Sequence, residues 1–169
     1  MGSHHIKRFL DAGGTDKEIG VATAISAIST GVKGYHFVKE YWTSHLPDLE
    51  PKEQFLDVFC RVAIIDSPCL AHMAACAVHT CLGNWLALSW QIEAAYEAGI
   101  DELQLAEAIS IAILPGSVPN YVRAAEVWRQ LILEKKIRAS KPFERWASFN
   151  GQGGYDEASG VLGQNKTSL

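Results

Sequence analysis

The sequence predicts an all-α protein, on three observations. No stretch alternates apolar and polar residues as a half-buried strand does, and none has the Val/Ile/Thr runs of a parallel sheet. Apolar residues recur at helical spacing instead, as in Ile19, Ala22, Ile25 and Ile28. Two segments also open on helix start signals, Thr15-Asp16-Lys17-Glu18 and Asp101-Glu102-Leu103-Gln104. In such a box the first side chain and the fourth each satisfy a backbone N–H that the helix leaves without a partner.

Taken in order, Ser3 to Ala12 reads as a helix stopped by Gly13-Gly14. Thr15 starts a second, which Gly31 breaks, and Val32 to Trp42 reads as a third. His45 to Pro51 is a linker with proline near its end, and Pro51 suits the first turn of a helix Lys52 to Ile65. Asp66-Ser67-Pro68 repeats that start signal for Cys69 to Leu82. Gly83-Asn84 breaks the chain before a helix to Ala98, where Gly99 fits the left-handed position that ends helices. The capped start at Asp101 leads a helix to Leu114, and Pro115-Gly116-Ser117 turns into Val118 to Lys136. A short helix near Pro142 to Phe149 precedes the tail Asn150 to Leu169. Its Gly, Ser, Asn and Gln content suits a flexible segment or a partner-binding arm. Residues 1–149 are therefore expected as a single domain and 150–169 as a tail.

At 169 residues the chain is long enough to bury a core without disulfides or metals. A net charge of −4 and only short basic clusters argue against a nucleic-acid partner, whose phosphates require grouped Lys and Arg. The N-terminal residues lack an apolar run of signal-peptide length, so a cytoplasmic protein is expected. Cys60, Cys69, Cys76 and Cys81 lie inside apolar helical patterns and read as free thiols rather than a disulfide framework.

Two halves of the chain echo each other. Residues 5–42 lie on 91–128 without a gap, matching Ala12-Gly13 with Ala98-Gly99, Ile25 with Ile111, and Val32 with Val118. Tyr35 then meets Tyr121, Trp42 meets Trp128, and the start signals at Thr15 and Asp101 superpose. This reads as a duplicated unit of three helices. The full unit, residues 52–136, adds two helices before Gln91 that the first copy lacks.

Those added helices contain the charge-free stretch from Ser67 to Ile92. It is long enough to span a bilayer, but Gly83-Asn84 interrupts it, and two histidines and a glutamine would be costly in lipid. A buried helical pair is the expectation, with no membrane partner. On its first helix His72, Cys76 and His79 fall within roughly a 60° arc of one face. On its second, Asn84, Ala87 and Gln91 form a small polar face. Imidazoles and a thiolate suit proton transfer, nucleophilic attack or a soft metal ion. Three ligands on one straight helix cannot converge on one tetrahedral ion. A metal would therefore take His72 with Cys76, or Cys76 with His79, and complete its shell from elsewhere. The same residues also suit plain core packing, where Cys acts as a small hydrophobe and His bonds a neighbour. Cys76 and Cys81 stand about 140° apart around the helix and do not suit a disulfide.

The segment QIEAAYEAGIDELQLAEAISIAILPGSVPNYVRAAEVW resembles the alkylhydroperoxidase D-like (AhpD-like) and carboxymuconolactone decarboxylase superfamily. The resemblance rests on the Ala-Gly helix end, the capped acidic start, the small-residue turn and the Val-Pro-x-Tyr helix entry. The redox branch carries Cys-x-x-Cys-x-x-x-His before that Ala-Gly end, and a Glu one helix earlier. Here those positions are Asn84, Ala87, Gln91 and His72, so thiol peroxidase chemistry is not expected. The resemblance then implies the cofactor-free lactone decarboxylase branch, and a homo-oligomer, commonly a trimer or hexamer. On this reading the protein is a lyase-like acid–base enzyme for a small carboxylated or lactone-type molecule. His72, Cys76 and His79 would be catalytic, and Asn84 and Gln91 substrate-binding. A non-catalytic oligomeric small-molecule-binding or scaffold protein is the alternative, and a metal-dependent enzyme using His72, Cys76 and His79 a second one.

Overall fold

The computed structural model describes residues 2–64 and 68–149, with side chains from His4 onward, and over these residues it is all-helical. The helices are α1 (Gly2–Asp11), α2 (Asp16–Gly31), α3 (Lys33–Tyr41), α4 (Pro51–Val62), α5 (Pro68–Leu82), α6 (Trp85–Glu97), α7 (Glu102–Ile111), α8 (Val118–Leu133) and α9 (Lys141–Ser148). The start signal at Asp66-Ser67 and the tail from Asn150 lie outside the described residues. Among the described residues no helix is long and apolar enough to cross a membrane.

The start signal at Thr15 acts as the sequence predicts, and the one at Asp101 acts through its first residue only. Thr15 Oγ1 accepts from Glu18 N at 3.3 Å, and Glu18 Oε2 accepts from Thr15 N at 2.8 Å, closing a full capping box. Asp101 Oδ1 accepts from both Leu103 N at 2.9 Å and Gln104 N at 3.0 Å, so the carboxylate caps α7 by itself. Gly13, Gly83 and Gly99 all take positive φ, 94°, 67° and 80°, ending α1, α5 and α6 in the left-handed conformation that a side chain resists. Three expected helices are shorter than their apolar patterns, the first being α4, which ends at Val62. α7 stops at Ile111 because Pro115 has no N–H to return to residue 111 and its ring crowds the preceding turn. α8 stops at Leu133, and Lys135 at φ 56° turns the chain out of the helix.

α5 is the central element. It packs against α6, against α2 on one flank, and against α7 and α8 on the other. Alanines make this possible: Ala71, Ala75, Ala87 and Ala95 are buried and let the helix backbones approach closely. Two apolar regions result. On the α2–α4 flank, Ile25, Phe59, Ala71 and Ala75 form one cluster, and Val32, Phe55, Ala87 and Trp90 another. On the α7–α9 flank, Cys76, Leu88, Ile92, Leu105, Ile109 and Trp128 belong to the largest cluster. Burying side chains of this size contributes about 1.5–3 kcal/mol each. Polar ties join the same flank: Trp128 Nε1 donates to Tyr96 Oη at 3.0 Å, and Tyr96 Oη donates to Glu102 Oε1 at 2.7 Å. Ser140 N also donates to Glu102 Oε1 at 3.0 Å, which anchors the start of α9 to the start of α7.

The stretches 5–42 and 91–128 agree at two helix boundaries and differ at a third, since α2 runs to Gly31 while α7 stops at Ile111, six residues before the position aligned with Gly31. α1 and α6 end at the aligned residues Asp11 and Glu97, and α2 and α7 begin at Asp16 and Glu102. Their packing differs. α6 is buried along most of its length, whereas every described side chain of α1 is exposed.

Candidate functional site

The five residues singled out by sequence lie where α5 meets α6, and all are buried. His72 and Asn84 are 7% exposed; Cys76, His79 and Gln91 are 0%. Their side chains nevertheless divide between two surroundings.

His72 and Gln91 form a pair. The His72 Nδ1 to Gln91 Oε1 distance is 2.7 Å. The amide oxygen only accepts, so Nδ1 carries a proton, and the neutral tautomer compatible with this contact is the one with its lone pair on Nε2. The imidazole also stacks on Phe59 of α4, with centroids 5.2 Å apart and planes at 27°. One hydrogen bond and one ring face thus fix both tautomer and orientation. The Gln91 Nε2 amino group is buried and has no hydrogen-bond partner among the described residues.

His79 lies two turns further along α5, enclosed by apolar groups. Phe55 meets it edge-on at 5.9 Å, and neither ring nitrogen has a hydrogen-bond partner among the described residues. Burial, reinforced by the nearby His36, pushes its pKa down to about 4, so the ring is neutral near pH 7. His36 itself is held below the ordinary imidazole value by burial and by Lys33. It meets Trp90 edge-on at 5.8 Å. Asn84 does not face this imidazole: its Nδ2 donates to the Ser29 carbonyl at 3.2 Å, tying α6 to α2.

Cys76 turns to the other flank and packs in the cluster of Leu88, Ile92 and Leu105. Burial pushes its thiol far above the ordinary cysteine value. The side chain is therefore a neutral thiol, and the nucleophilic thiolate expected as one option from sequence is not formed. The stripe that helical geometry draws on one face is divided by its neighbours: His72 and Cys76 differ by only about 40° in direction, yet His72 meets Phe59 and Gln91 while Cys76 joins the cluster of Leu88, Ile92 and Leu105. All four cysteines are free. Among the described residues no group of three or more His, Cys, Asp or Glu side chains is placed to hold a metal ion.

Two members of this interior were missed from sequence. Ser29, whose hydroxyl is buried without a partner among the described residues, and His36, whose Nε2 is likewise, reach the α5–α6 core from α2 and α3. The available signal was the alignment of the halves, which sets His36 against the apolar Val122. An open groove of about 470 Å³ lies elsewhere, between α7, α8 and α9, lined by Tyr121, Val122, Trp128, Phe143 and Trp146 among others, and by none of the five residues.

Comparison of the chain with protein-family models, curated proteins and solved structures returns no match.

Proposed function

We propose that this is a carboxymuconolactone decarboxylase-like protein that acts on a small carboxylated or lactone-type molecule by non-redox acid–base chemistry. The observation that carries the reading is the His72–Gln91 pair. Gln91 Oε1 holds the Nδ1 proton at 2.7 Å, which leaves Nε2 as a fixed lone pair able to take a proton from carbon beside a carbonyl. The unpartnered Gln91 Nε2 is then a donor for the oxygen on which charge develops. In this scheme His72 is the catalytic base and Gln91 both positions it and binds substrate. Cys76 and His79 are walls of the interior, one a neutral thiol and the other a neutral imidazole.

The test is turnover of carboxylated lactones by the wild-type, His72→Ala and Gln91→Ala proteins. Loss of a positioned base lowers the rate by about 10²–10⁴-fold. Full activity in both variants sinks the assignment.

A second reading, a non-catalytic small-molecule-binding or scaffold protein, is favoured by one specific observation: Cys76, His79 and Gln91 are all 0% exposed. It expects no lactone turnover by the wild-type protein, and expects His72→Ala to act on stability alone.

A further inference from the structure

The chain is acidic, yet one short segment reverses the sign. Residues 134–146, which run from the end of α8 into α9, hold five of the 15 Lys and Arg side chains and two of the 19 Asp and Glu. The segment is therefore net +3 in a chain of net −4. Its cations are Lys135, Lys136, Arg138, Lys141 and Arg145, all exposed. Among the described residues, Lys136 alone of the five has an ion-pair partner, Glu134 at 2.7 Å.

The backbone holds these cations in fixed places. Ile137 and Ala139 are 9% exposed and belong to the largest core cluster, so the segment is pinned at alternate residues with Lys136 and Arg138 left outside. Lys135 N donates to the Ile132 carbonyl at 3.1 Å and Lys136 N to the Leu131 carbonyl at 3.0 Å, closing α8 in a turn where Lys135 has φ 56°. The ends of α1, α5 and α6 use Gly13, Gly83 and Gly99 in that conformation, which glycine adopts without strain. After α8 a lysine takes the strained place, and what the strain keeps there is a cation. α9 then starts at Ser140, whose side chain donates to Glu102 and makes no cap bond to α9, so the positive end of that helix adds to the same field.

Ile132, Lys135, Lys136, Ile137, Arg138 and Glu144 line one open depression of about 440 Å³ at this junction. We propose that the depression binds the phosphoryl group of a small phosphorylated molecule. The charges match: three cations face one carboxylate, and a phosphate monoester is largely a dianion near pH 7, its second pKa being about 6. Arg138 supplies the planar fork that pairs with two phosphate oxygens, and Lys135 and Lys136 act as point charges. A nucleic acid fits less well, because its affinity comes from several phosphates contacted along a strand, and the basic segment is confined to one helix junction. Neither His72 nor Gln91 lines this depression, so the site stands apart from the acid–base reading.

Isothermal titration calorimetry of the full chain with inorganic pyrophosphate, in phosphate-free buffer at low ionic strength, tests the proposal. The wild-type protein binds pyrophosphate at a single site, and sodium chloride weakens the binding because exposed charges are screened. Arg138→Gln and Lys135→Gln each weaken it about tenfold, the loss of one charge-assisted contact. Lys7→Gln on α1 removes the same charge elsewhere and leaves the affinity unchanged. Lys135→Gly separates the site from the strain: it raises the thermal midpoint and still weakens binding. No binding by the wild-type protein, full binding by Arg138→Gln, or equal weakening by Lys7→Gln overturns the proposal. Two rival occupants give results of their own, and either result overturns it as well. Tighter binding by Asp156→Asn with Glu157→Gln assigns the depression to the carboxylates of residues 150–169. Attachment to phosphatidylserine–phosphatidylcholine vesicles without pyrophosphate binding assigns it to a lipid surface.

Discussion

Gln91 accepts the His72 Nδ1 proton at 2.7 Å across the α5–α6 contact, and neither group has water access on that side. Gln91→Leu keeps most of the volume and removes the acceptor, leaving a buried N–H unpaired. The expected cost is about 1–3 kcal/mol in urea unfolding. Adding His72→Phe removes the stranded donor and restores an apolar contact with Phe59, so the double variant is more stable than the sum of the single losses implies. Strict additivity in that cycle contradicts the pair.

His79 makes stability depend on acid. Its folded pKa of about 4 lies below the ordinary histidine value, so between the two the unfolded chain binds the extra proton and the folded chain does not. Stability is therefore complete above about pH 6.5 and falls as pH drops toward about 4. The full loss from this side chain is on the order of 3 kcal/mol. His36, shifted in the same direction, steepens the slope. His79→Leu is expected to flatten most of the decline when unfolding is measured at about pH 7 and about pH 4.5, a range that covers most of the interval between the two values. An unchanged slope contradicts a neutral buried imidazole.

The helices were legible in the sequence because their boundaries are set locally. Thr15, Asp101, Gly13 and Gly99 satisfy or release backbone groups within a few residues, and local chemistry needs no tertiary information. The three-part stripe on α5 was legible as a stripe for the same reason. Its division was not, since it depends on Phe55 and Phe59 approaching from α4 and on Leu88 and Ile92 from α6. Sequence spacing places side chains around one helix, and only packing decides which neighbour each one meets. Ser29 and His36 escaped attention for that reason: they enter the interior from helices whose other residues are largely exposed.

Thiol chemistry separates Cys76 from Cys60. Cys60 is exposed, and a disulfide reagent is expected to label it in the native protein. Cys76 is 0% exposed with its thiol held neutral, so in the native protein it stays unmodified until denaturant is added. Cys76→Ala costs about 1 kcal/mol through lost packing, with lactone turnover retained. Rapid native-state labelling of Cys76 contradicts the enclosed position, and loss of turnover in Cys76→Ala returns it to the catalytic set.

Gly13 and Gly99 perform the same backbone task in aligned positions, yet they differ in what depends on them. Both hold positive φ, 94° and 80°, and a Cβ meets nothing within 4 Å at either, so alanine introduces backbone strain alone. That strain is roughly 1–2 kcal/mol for a left-handed residue. At Gly99 it falls on the end of α6, whose Ala94, Ala95 and Ile92 are in the core, so the cost appears in global unfolding. At Gly13 it falls on the end of α1, whose described side chains are all exposed, and local fraying of α1 relieves it. Gly99→Ala is therefore expected to lower the urea midpoint, and Gly13→Ala to leave it near wild type while speeding amide exchange in α1. Equal midpoint shifts in the two variants would mean that α1 is bound to the core as firmly as α6.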